Sequence, residues 1–331
     1  MIRLIRKKIT GKGESDLKIV LLEEKTVSQG DVSLDEFKEL GEVTGYPLTP
    51  QELVAERTRD AEAVIINKTV FTREIMEKCP NLRYIGLCAT GYNNVDTKAA
   101  AELGITVCNV PAYSTSAVAQ QVFSYVLHFA SRTADYSKDV HDGGWVRSET
   151  FSYFSIPTFE LSGMTMGIIG FGSIGSAVAN IAQSFGMKVI AATRSPKTAD
   201  GVRFVSIDEV FSQADFISLH CPLTEDTRGL VNAEKLSLCK PSAYIINTSR
   251  GPAVNENDLA QALKKGIIAG AGLDVVETEP MKADNPLLGA PNCLITPHVA
   301  WAPVQTRQRL IRAAAENLRC FIDGKPVNKV N

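Results

Sequence analysis

The stretch Gly170-Phe171-Gly172-Ser173-Ile174-Gly175 constrains this chain more than any other, because the apolar run 165–169 leads into it and an apolar-periodic helical pattern leads out. Glycine at the first position permits a tight turn. At the second it lets the backbone approach a pyrophosphate, and at the third it lets the following helix pack closely on the strand. Phosphate oxygens would then rest on the free N–H groups of the helix N-terminus, where Ser173 and Ile174 stand. A bare GxGxxG is as well read as an ordinary glycine turn. Here a second strand begins at Met187, so strand, helix and strand make up a βαβ unit of about 30 residues, the context a dinucleotide cradle requires.

At 331 residues the chain exceeds the size at which single cores stop growing, so two domains are expected. The short apolar runs KIVLL from Lys18, AVIIN from Ala63, YIGLC from Tyr84 and ITVCNV from Ile105 alternate with helical stretches, which predicts a parallel sheet covered by helices. A second set follows: GIIG from Gly167, VIAA from Val189, FISLH from Phe216, YIIN from Tyr244, AGAGLDV from Ala269 and CLITP from Cys293. The cradle belongs to this second set. Residues 116–132 are apolar over much of a helical circumference, which suits a helix buried between domains. Residues 305–321 form an amphipathic helix that carries the chain back to the first domain. The expected fold class is therefore α/β, with two Rossmann-like, doubly wound parallel-sheet domains. A discontinuous, flavodoxin-like substrate domain takes residues 1–113 and 303–331, and a Rossmann cofactor domain takes 114–302. The aromatic-rich connection 136–159 has two readings: an arm packed by Trp145 and its Phe and Tyr residues, or a surface that buries against a second subunit and makes a homodimer.

A net charge of −2 gives no electrostatic argument for nucleic acid or an anionic membrane. No apolar run reaches the length of a membrane span. The seven cysteines are odd in number, scattered and never arranged as CxxC, so buried free thiols in a reducing cytosol are expected rather than disulfides or a metal site. The first 15 residues carry five Lys/Arg but no apolar core for a secretory signal. They read as a disordered or added extension, with a transit peptide left open.

Three ionisable residues follow apolar strands of the second set: Arg250 in INTSRG, Glu279 in LDVVETEP and His298 in ITPHVAW. The carboxyl edge of an open α/β sheet is where ligands bind. Singly, each has a plain reading as an ion-pair partner, a loop residue or a strand-end cap, and His128, His141 and His220 keep such structural readings. Together they supply a carboxylate-binding fork, a general acid and its orienter.

At these residues the chain closely resembles the D-isomer-specific 2-hydroxyacid dehydrogenases. The resemblance runs from Leu17 to Gly324 and rests on the cradle, HCPLTEDTRGLVN from His220, NTSRGPAVNENDL from Asn247, AGLDVVETEP from Ala271 and TPHVAWAP from Thr296, in family order. The spacings agree too, with 29 residues from Arg250 to Glu279 and 19 from Glu279 to His298. NKT from Asn67, NVPAYSTSAVAQ from Asn109 and TPHVAWAP look most like the glycerate dehydrogenase (hydroxypyruvate reductase) branch, as does Gln120 where other members have an acid.

The resemblance implies hydride transfer between NAD(P)H and a small 2-oxo acid. Arg250 would grip the substrate carboxylate and carbonyl with its planar fork. His298 would donate a proton to the carbonyl oxygen, and Glu279 would bind the other imidazole nitrogen and favour the protonated ring. Thr90 and Gly91, in the loop 89–94, would offer backbone N–H groups to the carboxylate; the plain alternative is a strand-to-helix turn. Lys68 is read either as reaching the pocket or as a solvated lysine, and Trp301 joins the substrate side. Cys221, Pro222, Thr227, Thr248 and Asp274 join Gly170, Gly172, Ser173, Ile174 and Gly175 on the cofactor side.

One departure stands out. NAD-specific members place an acid at the end of the second strand of the cradle unit, and this chain has Thr193-Arg194-Ser195-Pro196-Lys197. Arg194, Ser195 and Lys197 suit a 2′-phosphate, so NADP(H) is favoured, while a solvated or adenine-stacking Arg194 leaves NAD(H) open. The expected reaction is hydroxypyruvate or glyoxylate to D-glycerate or glycolate. Alternatives are D-lactate or 3-phosphoglycerate as substrate, or a nucleotide-sensing interaction protein of the C-terminal-binding-protein corepressor type. Formate dehydrogenases of this fold carry Gln where Glu279 stands, which argues against them.

Overall fold

Apolar runs too short for helices and buried on both faces form parallel strands only when helices cover the sheet. The computed structural model, which describes residues 17–195 and 197–331, contains two such sheets. The predictions for the N-terminal extension and for Pro196 lie outside the described residues. The chain divides into two compact units, Met1–Ser114 with Ala302–Asn331, and Thr115–Trp301.

In the first unit β1 (Lys18–Leu21), β2 (Glu42–Gly45), β3 (Ala63–Ile66), β4 (Tyr84–Leu87) and β5 (Thr106–Cys108) form a parallel sheet in the order β2-β1-β3-β4-β5. This is the flavodoxin-like order, with its switch point between β1 and β3. The helix Val304–Ile322 returns to this unit and buries Leu310, Ile311, Ala314 and Leu318. Its Phe321 ring lies 4.9 Å from that of Tyr84 on β4. At its start Arg307 makes a two-pronged ion pair with Asp31, at 2.8 and 2.6 Å. Residues 328–331 run antiparallel along β5, with Val330 N–H donating to the Val107 carbonyl and Asn331 bonding both Val107 and Ile105. They cover what would be an open sheet edge.

The second unit holds β6 (Thr165–Ile169), β7 (Lys188–Ala192), β8 (Val202–Phe204), β9 (Phe216–Leu219), β10 (Tyr244–Asn247), β11 (Gly270–Leu273) and β12 (Cys293–Ile295). Their order is β12-β11-β10-β9-β6-β7-β8, all parallel. The chain moves outward from β6, then returns to lay β9 beside it and continues the other way, so the switch point falls between β6 and β9. The helix Thr115–Ser131 shares one apolar cluster with Ser173–Ser184 and the sheet, through Val122, Phe123, Val126 and Phe129 against Ile168, Val178 and Ala182.

Two strands, β2 and β8, have no apolar run to announce them. Both are edge strands with largely solvated residues, so no continuous hydrophobic pattern is required of them. The connection 136–159 also differs from a plain arm, since its start continues the helix Thr133–His141. Beyond a short 3₁₀ turn, Trp145–Arg147, it is irregular and poorly covered, with Val146 87%, Phe151 93% and Phe154 87% exposed.

Candidate active site

The turn after β6 has the shape its glycines predict. Gly170 has φ +96°, and a Cβ there would sit 2.5 Å from the Cys221 amide nitrogen. Both the left-handed backbone and the close approach demand glycine. A Cβ at Gly175 would lie 2.3 Å from the Gly170 carbonyl oxygen, so the helix Ser173–Ser184 reaches its place only without a side chain there. Gly172 is the N-cap of that helix, makes no side-chain cap bond, and has nothing within 4 Å of a would-be Cβ. Open space over unpartnered helix N–H groups is an anion site.

Around the cradle, two buried side-chain atoms have no partner among the described residues: Thr248 Oγ1 beyond β10, and His220 Nδ1 beyond β9. The other His220 nitrogen bonds Ser218 Oγ at 2.8 Å, and burial pushes the imidazole down to about 3, so the ring is neutral. A cradle open at Gly172 and an orphaned hydroxyl beyond β10 fit a dinucleotide. Lys197 reaches back to the cradle and donates from Nζ to the Phe171 carbonyl at 2.5 Å. Thr193 is half-buried, and Arg194 and Ser195 are exposed. Thr227 Oγ1 donates to the Pro222 carbonyl at 2.7 Å and accepts from the Thr224 N–H at 2.7 Å, closing the turn that Cys221 and Pro222 begin.

Arg250, Glu279 and His298 stand beyond β10, β11 and β12, three neighbours in the sheet. Asn247, fully buried at the end of β10, shapes the first turn: its Oδ1 accepts from Ser249 N–H and Oγ, and its Nδ2 donates to the Arg250 carbonyl at 2.9 Å. Gly251 crosses so close to the next loop that a Cβ would fall 1.8 Å from the Val276 carbonyl oxygen. The Arg250 guanidinium is exposed and spends one N–H on the Ser249 carbonyl, leaving the rest of its fork for a ligand.

Glu279 Oε2 bonds His298 Nδ1 at 2.7 Å, so the imidazole presents Nε2 outward from this pair. His298 has φ +56°, which for a residue with a Cβ costs on the order of 1–3 kcal/mol. The conformation is held from below by Asp274. Its carbonyl accepts the His298 N–H at 2.8 Å, and its carboxylate accepts from Thr296 Oγ1 at 2.5 Å, Val299 N–H at 2.9 Å and Ala300 N–H at 2.9 Å. Asp274, assigned above to the cofactor side, thus has both oxygens engaged by the His298 loop. Trp301 is half-buried at the end of the second unit.

In the first unit the loops after β1, β3 and β4 gather at one sheet edge. Glu23, 8% exposed, places Oε1 where it accepts the N–H groups of Asn67, Lys68 and Thr69 at 2.7, 2.7 and 2.8 Å. Lys68 is exposed. Asn109 Nδ2 donates to the Thr90 carbonyl at 2.7 Å, and Thr90 Oγ1 to the Val110 carbonyl at 2.9 Å. The N–H groups of Thr90 and Gly91 donate to no carbonyl or side chain among the described residues. Nothing local in the sequence marks Glu23 or Asn109 for these tasks, because their partners are distant in the chain. Asn109 and Asn247 each open a motif quoted above, NVPAYSTSAVAQ and NTSRG, but neither motif by itself names these bonds.

The D-isomer specific 2-hydroxyacid dehydrogenase NAD binding domain matches residues 123–300, more than half of the chain. The chain belongs to this family. Hydroxypyruvate reductase of Blautia hydrogenotrophica is 46% identical over 321 residues, covering 95% of this dehydrogenase and 100% of the relative. Glycerate dehydrogenase of Methylorubrum extorquens is 39% identical over 317 residues, covering 95% and 98%. Among solved structures, a protein from Thermus thermophilus superposes with a TM-score of 0.85 at 33% identity, covering 95% and 100% of the two chains. The NADPH-dependent glyoxylate/hydroxypyruvate reductase of Sinorhizobium meliloti gives 0.82 at 30%, covering 95% and 97%. This dehydrogenase is an NAD(P)-dependent oxidoreductase acting on CH–OH groups, and the residues that match the NAD binding domain lie within its second unit.

Proposed function

We propose that this dehydrogenase reduces hydroxypyruvate to D-glycerate, with glyoxylate reduced to glycolate by the same site. The observation that carries the chemistry is the Glu279–His298 pair at 2.7 Å, with Arg250 at the end of the adjacent strand β10. The choice of substrate is supported by the 46% identity to a hydroxypyruvate reductase. The metabolic character of the relatives disfavours the corepressor alternative.

The turn Gly170–Gly175 would hold the pyrophosphate of the dinucleotide, which when bound would supply the hydride. Arg250 binds the 2-oxo acid with parallel N–H groups, a geometry lysine lacks. In the first unit, the N–H groups of Thr90 and Gly91, which donate to no carbonyl or side chain among the described residues, would take the carboxylate role the resemblance gives them. His298 hands the proton on Nε2 to the carbonyl oxygen, while Glu279 keeps Nδ1–H engaged and the ring oriented. Negative charge grows on that oxygen during reduction, so the cationic Arg250 and the His298 proton stabilise the transition state more than the ketone.

NADP(H) is the preferred cofactor in this reading. No carboxylate stands at Thr193 to repel a 2′-phosphate, and Arg194, Ser195 and Lys197 offer donors. Lys197 Nζ, bound to Phe171 of the cradle, supports this side of the site. A structurally similar imino acid reductase, 31% identical with a TM-score of 0.84, was solved with NADPH. The exposed Val146, Phe151 and Phe154 are the proposed homodimer surface.

A panel of 2-oxo acids assayed with both cofactors tests the substrate. Hydroxypyruvate is expected to give the highest kcat/KM, with glyoxylate next. A lead of about tenfold for pyruvate or phosphohydroxypyruvate, equivalent to about 1.4 kcal/mol at the transition state, would rule the proposal out.

A further inference from the structure

We propose that Tyr125, on the helix Thr115–Ser131, is a positioning residue for the proton donor, acting on His298 through Thr296 and Asp274. The inference rests on His298 being that donor.

Tyr125 is 171 residues from Thr296, yet its phenol oxygen lies 2.5 Å from Thr296 Oγ1. The direction of each bond follows from chemistry. A carboxylate oxygen only accepts, so the Thr296 hydroxyl donates to Asp274 Oδ1, at 2.5 Å. That leaves the Thr296 oxygen to accept the phenol proton of Tyr125. Burial pushes the Tyr125 phenol up to about 12, so it keeps the proton it donates. The ring reaches this place because β11 carries Gly272, where a Cβ would lie 2.6 Å from the Tyr125 ring.

The end of this chain of bonds is the loop that matters. Asp274 gathers the N–H groups of His298, Val299 and Ala300, two through its carboxylate and one through its carbonyl. His298 sits there at φ +56°, a conformation its own backbone does not favour. Loss of one anchoring bond therefore lets the loop relax toward φ below zero and turns Nε2 away from its working direction. Displacement of a reacting group by about 1 Å is enough to cost up to about 10²-fold in rate.

Tyr125→Phe keeps the ring against Gly272 and deletes only the hydroxyl. It is expected to lower kcat about tenfold, with the oxo-acid KM and the NAD(P)H Kd within about twofold of wild type. Thr296→Val should lose at least as much, and the double variant no more than Thr296→Val alone, since both cut one chain of bonds. Thr296→Ser, which keeps the hydroxyl, is expected to recover most of the kcat lost in Thr296→Val. Wild-type kcat in Tyr125→Phe and Thr296→Val, in folded protein with normal cofactor affinity, would overturn the inference. So would losses that multiply in the double variant, losses confined to cofactor Kd, or no recovery in Thr296→Ser. His298→Ala assayed alongside separates the two levels: full activity there removes His298 as donor, whereas its inactivity with a fully active Tyr125→Phe removes only the role of Tyr125.

Discussion

His298 Nδ1 and Glu279 Oε2 meet at 2.7 Å across 19 residues of sequence, because β11 and β12 are neighbours whose following loops converge at one sheet edge. The carboxylate takes one ring nitrogen of the imidazole, and in the proposed mechanism the other, Nε2, serves the substrate. The pair is half-covered, with side-chain exposures of 26% for His298 and 35% for Glu279, so it is accessible to a small oxo acid while still held.

His298→Ala should therefore abolish most turnover without disturbing the Gly170–Gly175 turn. Loss of a general acid typically costs about 10² to 10⁴ in rate. Steady-state kcat together with NAD(P)H binding by fluorescence checks this. A variant that keeps near-normal kcat removes His298 from the mechanism.

Arg250→Lys keeps the charge and loses the fork. KM for the oxo acid should rise and kcat fall together, because in the proposed mechanism one planar group makes both the carboxylate and the carbonyl contacts. Unchanged kinetics would reassign Arg250 to structure.

Cofactor choice tests the end of β7. Wild-type kcat/KM should favour NADPH over NADH, and Arg194→Ala should narrow the gap by raising the NADPH KM. Each charge-assisted contact to the 2′-phosphate contributes about 1.5–3 kcal/mol when well placed. A tenfold or greater preference for NADH would mean that Arg194 and Lys197 do not bind a 2′-phosphate.

Glu23→Ala should destabilise the first unit, because three N–H groups from Asn67 to Thr69 lose their shared acceptor. Each buried donor left unpaired costs about 1–3 kcal/mol, so a loss of about 3 kcal/mol or more is expected in urea unfolding. Glu23→Gln retains an acceptor oxygen and should lose less. A loss below about 1 kcal/mol in Glu23→Ala would show that water replaces the carboxylate.

Light scattering should give a dimer mass at working concentration, and replacing both Phe151 and Phe154 by serine should weaken it. Exposed aromatics on an irregular arm gain stability only by burial against another surface. A monomer mass for the wild-type chain would leave these residues without that role.

The glycine turn, the buried strands β3, β4, β6, β9 and β10, and the strand-end positions of Arg250, Glu279 and His298 were all legible in the chain itself. A tight turn needs particular residues in unbroken sequence, and a strand buried on both faces must be apolar throughout. The edge strands β2 and β8 escaped because one side of each faces solvent and places no such demand. The helix Thr133–His141 escaped because it buries no residue, so no apolar stripe marks it.

Only the tertiary structure decided what holds those residues in working order. The left-handed backbone of His298, the Asp274 carboxylate beneath it, the Tyr125 hydroxyl behind Thr296 and the Glu23 carboxylate under residues 67–69 are contacts between segments far apart in the chain. A local pattern determines which conformations a segment prefers; which distant donor meets which acceptor depends on strand order and loop convergence, and these come into being only when the sheets assemble.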